Sequence, residues 1–196
     1  MKITLVRHTP PEVKEGVCYG QTDLHVDDTF KNHLDAIQEV ITLDDDTVCF
    51  TSPLVRCKLL CKALAGGERA IEEDKRLMEL NFGSWENKKW SSLPVDQMQE
   101  WGKDYLNSRV HGGESMIDLN DRVKAFWTDL IESNYSEDED EEKNILIVTH
   151  AGVIRSILHI LLEMPLKKAF SILVNYGGVV QIEMLDKENA QIEFKR

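Results

Sequence analysis

Ile145-Leu146-Ile147-Val148-Thr149-His150-Ala151-Gly152 is the stretch that decides the fold. Its first five residues are apolar or β-branched, too short a run for a helix and well suited to a pleated sheet. They lack polar alternation, as expected of a strand covered on both faces. Val153 to Leu162, which follow, are apolar nearly all round, so they predict a buried helix ended by Pro165. Two other runs repeat the pattern. Ile3 to Val6 leads into Arg7-His8, and Thr47 to Thr51 leads into Ser52-Pro53-Leu54-Val55-Arg56.

Helical patterns lie between these strands. Phe30, Leu34, Ile37 and Ile41 share one face of a helix predicted to start near Asp28. Ser52-Pro53 reads as an N-cap with proline at the first helical position, and Gly66-Gly67 as the end of that helix. Ser115 and Asp118 have capping-box spacing and open a helix with Leu119, Val123, Phe126 and Leu130 as its apolar stripe. Val179 to Leu185 and Gln191 to Phe194, around the turn-rich Asp186–Asn189, predict a hairpin, a sheet edge that either pairs with a second copy in a homodimer or is covered by a loop. Strands alternating with helices imply an α/β fold: a three-layer α/β/α sandwich around a mostly parallel sheet. The segment 77–111, with Trp85, Trp90 and Trp101 and broken periodicity, reads as an irregular insertion over the sheet's edge.

At 196 residues the chain has the size of one large domain. Its formal net charge of −12 makes it a poor general binder of nucleic acid or of anionic membrane. Cys18, Cys49, Cys57 and Cys61 show no CxxC spacing and read as reduced thiols, Cys57 and Cys61 being packing residues one helical turn apart. The start, MKITLVRH, is too short for a signal peptide, and no apolar run is long enough to span a bilayer, so a cytoplasmic location is expected. The acidic run Glu137 to Glu142 reads as a solvated loop.

Ligands of open α/β sheets bind beyond the carboxyl ends of the strands. Arg7, His8, Arg56 and His150 all emerge there, and neighbouring strands would bring them onto one small anion. Taken singly, each has a bland reading as a packing histidine or a surface cation. Arg56 is harder to dismiss, because a cation in the first turn of a helix opposes the macrodipole unless an anion lies nearby. His150 precedes a helix N-terminus, which suits phosphate. HExxH is absent and His25, His33, His111 and His159 show no ligand spacing, so no metal site is expected; there is no GxxxxGK[ST] loop either.

Leu5-Val6-Arg7-His8-Thr9 resembles the opening motif of the histidine phosphatase superfamily, which includes the phosphoglycerate mutases. Ser52-Pro53-Leu54-x-Arg56, Glu79-Leu80-Asn81-Phe82-Gly83-Ser84-Trp85-Glu86, Gly112-Gly113-Glu114-Ser115 and Val148 to Arg155 resemble its later motifs, in family order. Cys18-Tyr19-Gly20-Gln21-Thr22-Asp23-Leu24 looks most like the α-ribazole phosphatases of cobalamin nucleotide-loop assembly. The resemblance implies one domain over 1–196 and a phosphomonoesterase that needs no metal or other cofactor. His8 would attack phosphorus and become a phosphohistidine; Arg7, Arg56 and His150 would hold the phosphoryl oxygens; Glu79 would protonate the leaving alkoxide and then deprotonate water. Glu86 is the rival acid, but the motif places the donor at Glu79. Gly20, Gln21, Thr9 and Ala151 are expected to line the substrate site, with Arg155 expected in a structural ion pair.

Two departures from the family pattern stand out. Thr9 replaces the glycine after the nucleophile, and Pro10 to Lys14 stand where an asparagine is often found, with Gln21 a candidate substitute. The implied partner is a small phosphorylated metabolite, with α-ribazole 5′-phosphate the leading substrate. A mutase or broad-specificity sugar phosphatase is the enzyme alternative. A non-catalytic phospho-ligand module is the alternative from another class.

Overall fold

The computed structural model describes residues 1–66, 69–110, 112–136 and 143–195. Gly67, His111 and the acidic run Glu137 to Glu142 lie outside them. Six strands form the main sheet: β1 (Lys2–Arg7), β3 (Val48–Thr51), β4 (Ile71–Glu73), β6 (Asn144–Thr149), β7 (Val179–Met184) and β8 (Ala190–Lys195). Their order is β4-β3-β6-β1-β7-β8. The first four run parallel, β7 runs antiparallel to β1, and β8 closes the hairpin as the edge strand. A second, two-stranded ribbon pairs β2 (Val17–Cys18) with β5 (Lys88–Lys89). The short strands β2, β4 and β5 carry no sequence periodicity to announce them.

β6 is central, and its apolar run fills both layers. Ile145 and Ile147 join Ile3 and Leu5 on the face covered by α4 (Met116–Asn134) and α5 (Ala151–Leu161). Leu146 and Val148 join Val6 and Cys49 on the opposite face, beneath α1 (Phe30–Gln38) and α2 (Val55–Ala65). Side chains alternate across a strand, so a run with no polar member needs a helix layer on each side. The three-layer expectation holds for this reason.

Several predicted boundaries move. α2 begins at Val55, with Pro53 and Leu54 in the preceding turn, so Ser52 is not its N-cap. Gly66, at φ 74°, closes α2 in the left-handed conformation that glycine adopts freely. α5 gives way at Leu162 and Glu163, the latter at φ 47°, ahead of Pro165; that proline instead precedes the short α6 (Leu166–Ala169). Ile41 lies past the end of α1, yet its amide still reaches the Ile37 carbonyl and its side chain packs with that helix. The Ser115–Asp118 capping box forms as read and starts α4, whose four predicted stripe residues are all buried. The hairpin turn also forms, with the Asp186 carboxylate accepting the Glu188 and Asn189 amides.

Within the segment after Leu77, α3 (Val95–Lys103) interrupts the irregular backbone. Trp85, Leu93 and Val110 bury themselves with Cys18 of β2, and Trp90 and Trp101 pack against them. Packing on β2 holds this segment against the chain that follows β1. It thereby stands beside the carboxyl ends of the parallel strands.

Candidate active site

β1 and β3 flank β6, so the residues that leave these three strands emerge side by side. Two backbone bonds extend the ladder past the strand ends. The His8 amide donates to the Thr149 carbonyl (2.9 Å), and the Ser52 amide donates to the Val148 carbonyl (3.1 Å). The rings of His8 and His150 meet edge to face, with centroids 5.0 Å apart. Arg56, on the first turn of α2, reaches back until its Nη2 lies 3.4 Å from His150 Nδ1. Arg7 leaves the end of β1 and donates to the Val174 carbonyl (2.6 Å).

The protonation states follow from these contacts. His8 Nδ1 lies 2.7 Å from the Thr9 carbonyl, which can only accept, so Nδ1 carries the proton and Nε2 keeps its lone pair. Burial, reinforced by the Arg56 and Arg7 charges, holds the His8 pKa well below its usual range against the pull of the Thr9 bond. His8 is thus a neutral imidazole with a free Nε2. For His150 the causes are burial, then Arg56 and then His8, and its pKa is lowered in the same way. Arg56 can only donate toward Nδ1 of that ring, so His150 donates from Nε2 to the Ser52 hydroxyl (2.9 Å). Cys57 Sγ sits 3.4 Å from the same Nε2, and burial pushes its thiol up to about 12, so it remains protonated.

The two guanidiniums have spare donors. Arg56 is fully buried, and its Nη groups donate to the Gly20 (2.7 Å) and Thr22 (2.8 Å) carbonyls. Arg56 Nε and Arg7 Nε are buried without a protein partner, as is Thr9 Oγ1. Burying a cation among neutral carbonyls is expensive, by several kcal/mol before compensation. An anion placed between the two guanidiniums supplies both the missing bonds and the missing charge.

Glu79 lies against Gly152, two residues beyond His150. Its carboxyl group accepts the Leu80 amide (3.0 Å) and the Gly152 amide (3.2 Å), at the N-terminus of α5. Gly152 leaves room for it, since a Cβ there would fall 2.2 Å from Glu79 Oε1. Glu86 is occupied elsewhere. Its oxygens accept the Gln21, Phe82 and Thr22 amides and the Thr22 hydroxyl, which ties the 20–22 turn to the Phe82 loop. Gly20 completes that turn at φ 38°, and a Cβ there would strike Glu86 Oε1 and the Leu80 carbonyl.

Other expected residues fall as follows. Ala151 is buried at the start of α5, beside His150. Gln21 turns its amide nitrogen to the Glu79 carbonyl (2.9 Å), so it positions the Glu79 segment. Arg155, expected in an ion pair, donates to the Ile172 carbonyl (2.8 Å) and has Phe170 beneath its guanidinium. Sequence reading missed Arg122. It pairs with Glu114 (2.8 Å) and donates to the Arg76, Met78 and Glu79 carbonyls, fastening the 3-10 turn and the residues after it that present Glu79. Ser52 and Cys57 beside His150, and Tyr19 and Tyr176 beside the arginines, also went unassigned. Among the described residues, no group of three or more His, Cys, Asp or Glu side chains is arranged to hold a metal. No described helix is long and apolar enough to cross a membrane.

Known proteins are similar to this chain at low identity. Phosphoserine phosphatase 1 of Hydrogenobacter thermophilus is 24% identical over 96% of this chain and 89% of its own length. The adenosylcobalamin/α-ribazole phosphatase of Escherichia coli is 23% identical over 95% of this chain and 92% of its own. The crystal structure of the α-ribazole phosphatase of Shigella flexneri superimposes with a TM-score of 0.82 at 22% identity, covering 99% of this chain and 95% of that one, so the phosphoglycerate mutase-like fold is shared. Residues 3–195 match the sequence profile of the Histidine phosphatase superfamily (branch 1). With the paired histidines and arginines assembled at one sheet edge, the chain belongs to that superfamily.

Proposed function

We propose that this protein is a phosphomonoesterase that works through a phosphohistidine at His8, without a metal, on a small phosphorylated metabolite. One observation carries the reading: a neutral, buried histidine with Nδ1 pinned to a carbonyl stands beside the buried Arg56 and the half-buried Arg7, whose buried Nε–H groups have no partner in the protein.

The reaction divides into two displacements. His8 Nε2 attacks phosphorus in line while the ester P–O bond breaks, and Glu79 delivers a proton to the departing alkoxide oxygen. Arg7, Arg56 and His150 hold the other phosphoryl oxygens and stabilise their charge. Glu79, now a carboxylate, takes a proton from water as the water oxygen attacks phosphorus. The P–N bond breaks, its electron pair returns to Nε2, and inorganic phosphate leaves. The bound dianion also favours protonation of His150 at Nδ1, turning that nitrogen from acceptor to donor. The guanidiniums and His150 supply the charge stabilisation that a metal would otherwise provide.

For the substrate, α-ribazole 5′-phosphate is the leading candidate. It rests on the Cys18–Leu24 segment and on similarity to a phosphatase named for that ester. Relatives named for phosphoserine and glucosyl-3-phosphoglycerate supply the comparison substrates. The test is phosphate release from p-nitrophenyl phosphate and from this panel, with chelator present, by the wild type and by His8→Ala. Turnover abolished in the variant, an acid-labile phosphoryl group trapped on wild-type His8, and the highest kcat/KM on the ribazole ester are expected. Undiminished turnover by His8→Ala would reject the nucleophile, and a preference for another ester would replace the substrate.

A further inference from the structure

Two tyrosines stand beside the proposed nucleophile and its arginines, Tyr176 against His8 and Tyr19 against Arg56, and the hydrolysis derived above makes no use of them. Tyr19 precedes the Gly20 turn, while Tyr176 lies in the loop leading into β7. Their hydroxyls, from opposite ends of the chain, meet at 2.6 Å. The Tyr176 ring lies 3.8 Å from the Arg7 guanidinium carbon and 5.5 Å from the His8 ring. The Tyr19 ring takes the Arg56 guanidinium at 5.3 Å. Each phenol therefore covers one of the two arginines that face the phosphate. Both tyrosines are partly exposed, whereas His8 is only 1% exposed. The pair is on the solvent side of the nucleophile.

Burial and the bond to Tyr176 hold the Tyr19 hydroxyl protonated, well above the usual phenol range. A mutual bond between two phenols uses one of their two hydrogens, leaving one O–H to donate and lone pairs to accept. A substrate hydroxyl both donates and accepts, so it can replace the tyrosine–tyrosine bond without leaving a buried polar group unmatched. A carboxylate on the leaving group would meet two neutral phenols, with Arg7 and Arg56 already engaged by the phosphoryl oxygens. A charge taken into a partly buried site without a partner of opposite sign is costly.

Resting on the phosphomonoesterase reading, we propose that Tyr19 and Tyr176 are specificity-determining residues: they bind the leaving-group alcohol and select uncharged, hydroxyl-bearing alcohols over carboxylate-bearing ones. The experiment compares kcat/KM on ribose 5-phosphate, O-phosphoserine and p-nitrophenyl phosphate for the wild type, Tyr19→Phe, Tyr176→Phe and the double variant. The phenylalanine variants keep both rings over the arginines and remove only the hydroxyls. The wild type should favour ribose 5-phosphate over phosphoserine by about tenfold or more. In each single variant the ratio of ribose 5-phosphate to p-nitrophenyl phosphate should fall by about fivefold or more, as expected from one lost hydrogen bond. A ratio unchanged in the double variant, or a wild-type preference for phosphoserine, overturns the proposal while leaving the hydrolase in place. No turnover of any of the three esters by the wild type overturns the hydrolase reading and this proposal with it.

Discussion

Gly152→Ala separates the geometry of the proposed general acid, Glu79, from the stability of the fold. A Cβ at position 152 would stand 2.2 Å from Glu79 Oε1 and 3.0 Å from Leu119 Cδ2, while ordinary contact begins near 3.4 Å. The carboxylate must therefore retreat by about 1 Å, giving up the Gly152 amide. Only the far end of a flexible side chain has to move. Alanine gains up to about 1 kcal/mol of helix propensity over glycine, and the lost charge-assisted bond costs about 1.5–3 kcal/mol. The net change in folding stability should stay within about 2 kcal/mol, a shift of a few degrees in Tm. Catalysis should suffer more. A displacement of about 1 Å costs roughly a hundredfold where geometry matters, and general acids contribute about 10²–10⁴-fold. The loss should fall on esters whose alkoxide needs a proton. We expect kcat/KM for an alkyl phosphate to drop by about a hundredfold and that for p-nitrophenyl phosphate by less than about tenfold. Glu79→Gln should show the same split. Equal loss on both esters, or full activity of Gly152→Ala on the alkyl ester, would refute the assignment of Glu79 as proton donor held against α5.

The remaining predictions concern folding. His8 and His150 are held neutral by burial and by Arg56, so their folded pKa values lie below their unfolded ones. The unfolded chain then binds more protons below about pH 6.5, and stability should fall as pH drops through that value. Urea titrations should lose roughly 1 kcal/mol per histidine over the first pH unit below it, and replacing His150 by asparagine should reduce that slope; an unchanged slope would deny that this ring is buried neutral. Ser115→Ala removes the side chain that accepts the Asp118 amide (3.2 Å) and donates its hydroxyl to the Asp118 carboxylate (2.8 Å). It should cost about 1 kcal/mol, read as a lowered urea midpoint with unchanged m; a neutral substitution would mean that α4 starts without its box.

Local chemistry wrote much of this protein into its sequence. Apolar runs without alternation announced β1, β3 and β6 as strands buried on both faces, because side-chain direction alternates whatever the rest of the chain does. Residue types that oppose their local setting, such as Arg56 in the first turn of α2, pointed to an anion, and motif resemblance placed His8, Arg7, His150 and Glu79 together. Strand order was beyond such reading: β6 lies between β1 and β3 although it is the last of the three in the chain, and this ordering brings the two histidines to 5.0 Å. Motif resemblance already placed the donor at Glu79 rather than Glu86, but only the tertiary structure gives the physical reason. Glu79 and Glu86 sit seven residues apart in similar sequence, yet Glu86 is consumed by four donors of the 20–22 turn and the Phe82 loop, while Glu79 rests on α5 in space that Gly152 leaves open. Hydrogen-bond partners distant in sequence leave no periodic trace, which is why Arg122, Ser52, Cys57 and the Tyr19–Tyr176 pair emerged only when the chain was folded.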